Sequence, residues 1–373
     1  MQNFKLRFSK KYLIILAFII IIFSVSYLFL SRNEGFYDKT IAKIISVDEK
    51  YSNVHGINGE TEQIKNQKIK AVVMNGPHKG QEIELQNKTS FSQINDLNLK
   101  VNDEVFVTVK EDANKNVVSS QIIDFKRDNY IGYITMLFVA LILLIGGYKG
   151  FRSLCSVAIN ICIFLVLVQL FLYGFNLTIG SIVASILFIS LSITIVCGRN
   201  KKAFSAIVST MISTLIAILI SLLVIKLNNW NGIHFEEMEF LTHAPENIFL
   251  AEILIGTLGG IMDIAISISS FVKERYDINP NIETKELIKS GFELGKDIMG
   301  TMTNTLLFAY ISGSIPIILL LFRNNYPISY IININMSLEL IRAITGSIGV
   351  VLSIPISIYT SVFLIKNNKI GEV

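Results

Sequence analysis

The stretch YIGYITMLFVALILLIGGY, residues 130–148, holds no charged side chain anywhere along its length. As a helix rising about 1.5 Å per residue it covers a hydrocarbon core of roughly 30 Å, and it lacks the polar face a water-soluble helix keeps. It reads as a transmembrane helix. Comparable apolar runs follow at about 153–174, 177–197, 203–226, 248–271, 298–322 and 337–365, and one precedes it at about 12–30. The expected fold class is therefore a membrane all-α bundle of about eight transmembrane helices. With 51% hydrophobic and 17% charged residues, the chain is also too apolar for an ordinary soluble protein.

The first run follows Lys5, Arg7, Lys10 and Lys11, and Ser24 and Ser26 could serve a signal-peptide cleavage site. Its apolar core is longer than a usual signal peptide allows, so a retained anchor is expected. With the N-terminus inside, the short loops carrying Lys149, Arg152, Arg199, Lys201, Lys202, Lys273, Arg275, Lys285, Lys289, Lys296, Lys366 and Lys369 all share its side. The opposite loop at 228–247 carries Glu236, Glu237, Glu239 and Glu246 and no basic residue. This asymmetry places both termini in the cytoplasm of a cell membrane. It also accounts for the net charge of +4 without a nucleic-acid partner. Residue usage heavy in Ile, Asn and Lys points to a bacterial source.

Residues 31–127 are of different character. Short alternating runs at 40–47, 68–74, 81–86, 104–109 and 117–123, separated by turn signals such as NGPHKG and VND, predict five strands. A set of this length suits a small OB- or SH3-like barrel, inserted on the extracytoplasmic side. Basic residues interleaved with aromatics are lacking, so a structural or protein-contact role is favoured over a ligand site. The expected organisation is a cytoplasmic tail and anchor at 1–30, the β-rich domain at 31–127 and a seven-helix transmembrane domain at 128–373.

Cys155, Cys162 and Cys197 form no CxxC pair, and His55, His78, His234 and His243 lie in polar segments. No disulfide framework, metal site or cofactor is expected from them. There is no HExxH, no histidine within a span to pair with a serine, no GxGD beside Asp263 and no phosphate loop GxxxxGK[ST]. The chain is expected not to be an enzyme.

Ionisable residues inside lipid are costly and usually face a bundle interior or cavity. The sixth run contains GTLGGIMDIAIS at 256–267, with Glu252 one turn earlier and Asp263 at hydrocarbon depth. Gly256, Gly259 and Gly260 are expected to serve helix packing. The seventh, within SGFELGKDIMGTMTNTLLFAYISGSIP at 290–316, brings Asp297 at its cytoplasmic end and Thr301, Thr303, Asn304 and Thr305 just inside. The eighth, MSLELIRAITGSIGVVLSIPIS at 336–357, brings Glu339 and Arg342 near the outer face, where Arg342 can pair with Glu339 or Glu252. Two polar layers are thus expected: Glu252, Glu339 and Arg342 outside, and Asp263, Thr301, Thr303 and Asn304 inside. One reading makes them a substrate or ion pathway in which Asp263 binds a cation or cycles a proton; the other makes them polar glue between helices. Between the two runs, Asn279-Pro280 and an amphipathic stretch around Leu287, Ile288 and Phe292 predict an interfacial cytoplasmic helix.

The segments KAVVMNGPHKGQEIELQN, VNDEVFVTVK, LGGIMDIAISI, SGFELGKDIMGTMTNTLLFAY and LELIRAITGSIG resemble the YibE/F family of bacterial multi-pass membrane proteins, and the resemblance covers nearly the whole chain. It implies the same topology and directs attention to Asp263, Asp297 and Asn304. One departure is Lys296, where the family pattern commonly has arginine before the aspartate. The family carries a suggestion of transport or efflux and names no substrate.

The leading expectation is an ion-coupled secondary transporter or permease using Asp263. The alternative is a non-transporting scaffold or receptor whose β domain binds an extracytoplasmic partner. Membrane lipid is an expected partner in either case, and a second membrane subunit or a second copy of the chain is compatible with both.

Overall fold

The computed structural model describes residues 21–55, 61–89, 96–111, 117–230, 233–238 and 244–366. Most of the first apolar run with its basic cluster, and also Glu239, His243 and Lys369, lie outside the described residues. The chain forms two compact units, Met1–Gly147 and Tyr148–Val373.

In the first unit a helix α1 (Ile21–Leu30) leads into an antiparallel sheet. Its strands are β1 (Thr40–His55), β2 (Thr61–Val73), β3 (Glu82–Thr89), β4 (Glu104–Glu111) and β5 (Val117–Phe125), in the order β3-β2-β1-β4-β5. All five expected strands are present, β1 and β2 longer than expected because they continue together as a ribbon to the His55–Thr61 pair. Alternate residues face inward: Ile69, Ala71 and Val73 of β2, Ile83 and Leu85 of β3, and Val105 and Val107 of β4 share one core. The NGPHKG turn needs glycine at Gly76 and Gly80, where φ is 77° and 88°. Its Asn75 accepts from the Ile41 amide at 2.7 Å, and its amide nitrogen stands 2.9–3.1 Å from the carbonyl oxygens of Glu34, Tyr37 and Lys39. That single side chain satisfies backbone groups on the segment entering β1.

Where β5 passes into the next helix, Lys126 is buried with 2% of its surface exposed. Its amine donates to Glu104 at 2.6 Å, lies 3.3 Å from Asp128 and sits over the Tyr37 ring. Asp128 also accepts from Asn33 at 2.6 Å and from the Tyr37 hydroxyl at 2.9 Å. Burial pushes the Lys126 amine down, but the hydrogen bond and charge of Glu104, joined by Asp128, outweigh it and hold its pKa above the ordinary lysine value. The network ties the last strand to the first turn of the helix that follows it.

Among the described residues six helices are long and apolar enough to cross a membrane, and the first of the eight expected runs lies mostly outside those residues. The runs expected at 130–148 and 153–174 are joined in α2 (Asp128–Leu172), whose only break is Gly147 at φ 51°, ψ −128°. A glycine takes up that conformation without a loop, so no connecting segment separates the two runs. The others are α3 (Leu177–Cys197), α4 (Lys201–Leu227), α5 (Pro245–Ile278), α6 (Thr284–Arg323) and α7 (Ser337–Lys366). The interfacial helix expected before the seventh run is not separate: it is the first part of α6, starting at Thr284 beyond Pro280. Leu287, Gly291 and Gly295 are buried there, and Gly291 and Gly295 lie against Ile358 and Ile354 of α7, which keeps the helix running straight into the bundle.

The centre of the second unit is α7, which packs on α4, α5 and α6. Along α4, Ser205, Ser209, Ser213, Ala217 and Ser221 recur every fourth residue and are buried; along α7, Thr345, Gly349, Ser353, Ser357 and Ser361 do the same. The two rows meet in antiparallel order. Ser205 and Ser361 share a hydrogen bond of 2.8 Å, Ser361 and Ser269 of α5 one of 3.0 Å, and Ser221 donates to Thr345 at 3.0 Å. Small side chains let the backbones approach, which is what drives helix association where lipid removes the hydrophobic driving force. Other hydroxyls of the rows bond within their own helix, as Ser213 does to the Ser209 carbonyl and Ser353 to that of Val350, both at 2.7 Å.

Two outcomes are expected. Lys126→Met leaves Glu104 and Asp128 without their cation and lowers the stability of the first unit by about 3 kcal/mol, measured by pulse proteolysis of the detergent-solubilised protein. Because the lysine's pKa is raised on folding, the stabilisation that goes with that shift is present below the ordinary lysine value of 10.5 and is lost as pH rises through the raised folded value. Second, a side chain at Gly349 meets Ile261 and Ala217. Gly349→Val abolishes monodisperse protein on size-exclusion chromatography, whereas Ser213→Ala, which loses only an intrahelical bond, changes thermal stability by less than about 1 kcal/mol.

Candidate functional site

All the expected intramembrane site residues belong to α5, α6 and α7 of the second unit. α5 and α6 run antiparallel: Gly256 lies against the Tyr310 hydroxyl, and Gly260 against Leu306 with Val350 of α7 on its other side. Gly256 and Gly260 thus sit where neighbouring side chains approach closely. Gly259 has open space around the position of a side chain.

The outer layer is assembled. Arg342 donates from Nη1 to Glu339 Oε1 at 2.7 Å, one turn earlier on α7. Its Nη2 stands 3.0 Å from Glu252 Oε2 on α5, a contact of charges without hydrogen-bond alignment, since that oxygen has no hydrogen-bond partner among the described residues. The guanidinium also lies over the Phe249 ring, 5.6 Å from its centre. The Arg342 side chain is 14% exposed and that of Glu252 40%, so the cluster is sunk in the bundle yet reachable from one side. Arg342 therefore pairs with both carboxylates rather than choosing one.

Two cavities share Ile248, Glu252 and Arg342. One, of about 550 Å³, is polar and is also lined by Glu236, Gly313, Ser314, Asn335 and Glu339. The other, of about 440 Å³, is walled by Phe164, Leu167, Phe171 and Ile255 and carries Ser181 and Tyr310. Glu236 belongs to the loop between α4 and α5, where hydrogen bonding from His234 at 2.6 Å holds its carboxyl below the ordinary glutamate value.

The inner layer is arranged differently. Glu252, Gly256, Gly259 and Asp263 follow one another at spacings of four, three and four, hence along one face of α5. Asp263 is exposed on that face, and among the described residues its carboxylate has no hydrogen-bond or ion-pair partner. On α6, Asp297, Thr301, Asn304 and Thr305 are exposed, with Thr301 donating to the Ile298 carbonyl at 2.9 Å and Thr305 to that of Thr301 at 2.8 Å. Thr303 is half-buried and its hydroxyl is unpartnered. No group of three or more His, Cys, Asp or Glu among the described residues is placed to hold a metal ion.

Tyr310 and Ser181 escaped the sequence reading. Tyr310 was legible as a hydroxyl buried in an apolar run and facing a glycine only once the antiparallel pairing of α5 and α6 was known. Ser181 had no signal, being one serine among many.

Arg342→Met leaves Glu252 and Glu339 facing each other without a cation and is expected to destabilise the protein by about 2 kcal/mol in detergent, less than for a fully buried pair because Glu252 is partly exposed. The triple variant Glu252→Gln, Glu339→Gln, Arg342→Met recovers most of that loss. Chemical unfolding of the purified proteins measures both.

Comparison with known proteins bears on both units. Residues 35–125 match the YibE/F family N-terminal domain, and residues 134–367 match the family described as YibE/F-like protein. Comparison with curated proteins and with solved structures gave no match. With six helices among the described residues long and apolar enough to cross a membrane, as a membrane protein requires, and both family regions in order along nearly its whole length, the chain belongs to the YibE/F family.

Proposed function

We propose that the chain is an ion-coupled secondary transporter or permease of the cell membrane, a carrier rather than an enzyme. The observation that carries this reading is the face of α5 that joins the Arg342 cluster, open to a polar cavity, to the carboxylate of Asp263, which has no partner among the described residues. The two are eleven residues apart, about 16 Å along the helix. A carboxylate at that depth without a partner is costly, and a bound cation or proton offsets the cost. Thr303, Thr301 and Asn304 supply further oxygens beside this path, and Asp297 stands at its cytoplasmic end.

The topology that goes with it has eight spans, counting α1 with the run before it and α2 as two, both termini cytoplasmic and residues 31–127 outside. The division into 1–30, 31–127 and 128–373 follows from that topology. An OB-like barrel is supported by the strand order together with the return of β5 to β3, where Ser120 donates to the Glu84 carbonyl at 2.7 Å. A second reading, a scaffold or receptor, draws on the ribbon of Ser52–His55 paired with Thr61–Ile64, which extends past the strands flanking it.

The test is proton and sodium flux in proteoliposomes under imposed gradients. Wild type is expected to carry flux, and Asp263→Asn, reconstituted in equal amount, to lose roughly nine-tenths of it or more, as removal of an obligatory ion ligand requires. Flux undiminished in Asp263→Asn, or none in folded wild type, would overturn the carrier reading and favour the scaffold.

A further inference from the structure

We propose that the two adjoining outer cavities form one binding site for an amphiphilic primary amine, its ammonium among the acidic groups and its apolar body in the apolar chamber. This rests on the carrier reading only for what happens after binding.

Charge decides the head group. The polar chamber is lined by the carboxylates of Glu236, Glu252 and Glu339 against the guanidinium of Arg342. Arg342 has one nitrogen bonded to Glu339 and another beside Glu252, so its charge is already matched and the chamber keeps an acidic excess. An anionic head group meets that excess unfavourably, whereas an ammonium neutralises it.

The apolar chamber decides the rest. It is walled by phenylalanine, leucine, valine and isoleucine, and three of its lining residues carry a buried oxygen that has no hydrogen-bond partner among the described residues. Ser181 is 1% exposed and its Oγ is unpartnered; the Tyr310 hydroxyl and Glu252 Oε2 are likewise buried and unpartnered. Buried polar atoms left unsatisfied cost free energy, and Glu252 Oε2, on the residue that both chambers share, can accept from an ammonium held among the acidic groups. A cavity of about 440 Å³ with apolar walls and a few polar groups converging is the usual form of a small-molecule site. Glu252 lines both chambers, so it lies where head group and body join.

The experiment is calorimetric titration of full-length protein in phosphatidylcholine nanodiscs, corrected with empty discs. The probes are 4-phenylbutylamine, its neutral analogue 4-phenylbutanol and its anionic analogue 4-phenylbutyrate. Saturable binding of the amine, roughly tenfold or more tighter than either analogue, is expected. Glu252→Gln with Glu339→Gln should remove that preference, and Ser181→Leu, which fills the apolar chamber from its wall, should weaken all binding while the acidic groups remain. Equal binding of the three probes, or no binding by folded wild type, overturns the site. Discs containing phosphatidylethanolamine identify the source: competition with the probe means that the amine belongs to a lipid, and its absence means a free amine. Charge-dependent binding without flux in the proteoliposome assay leaves this site standing and removes the carrier reading.

Discussion

Inside lipid, apolar side chains gain nothing by leaving one apolar surface for another, so helices adhere through close backbone approach and satisfied polar contacts. In this protein that constraint is met by the rows of small residues on α4 and α7. Small residues at every fourth position, most of them serine, hold the helices close, and several of the hydroxyls bond across the interface or back to their own helix. Around that pair the other helices are placed: α5 against Gly346 and Gly349, and α6 against Ile354 and Ile358 through Gly295 and Gly291.

The charged cluster depends on this packing. Glu339 and Arg342 are a turn apart on α7 and would pair on an isolated helix, but Glu252 belongs to α5, and only the close approach of the two helices brings it to 3.0 Å. The same glycine contact that admits Tyr310 beside Gly256 leaves its hydroxyl buried among apolar walls. Asp263 and the exposed threonines of α6 lie outside this tightly packed zone, on faces that the second unit itself does not cover. The bundle is thus closed where serine is abundant and open where carboxylate, amide and threonine are.

The first unit obeys the rules of water. Its sheet buries alternate residues, and its tie to α2 uses a lysine buried among two carboxylates, an asparagine and a tyrosine. Such a network orders only with all partners present, since Lys126 without Glu104 is a buried charge without compensation. Asn75 works similarly where the chain enters β1, satisfying backbone groups of that segment.

The sequence by itself determined where the apolar runs from residue 130 onward and the five strands lie, because bilayer thickness sets a length and pleating sets a period that a single stretch must carry. It also determined that Glu252, Glu339 and Arg342 share a depth. It did not reveal that α2 bends at Gly147 without a loop, that the amphipathic stretch continues into α6, or that serines apparently without feature form the central interface. Those depend on which faces meet, and one chain's periodicity is silent on its neighbour's. Only the tertiary structure decided that Arg342 stands between two carboxylates, that Lys126 is a buried tie and that Asp263 has no partner among the described residues, since each depends on distances between helices or strands far apart in sequence.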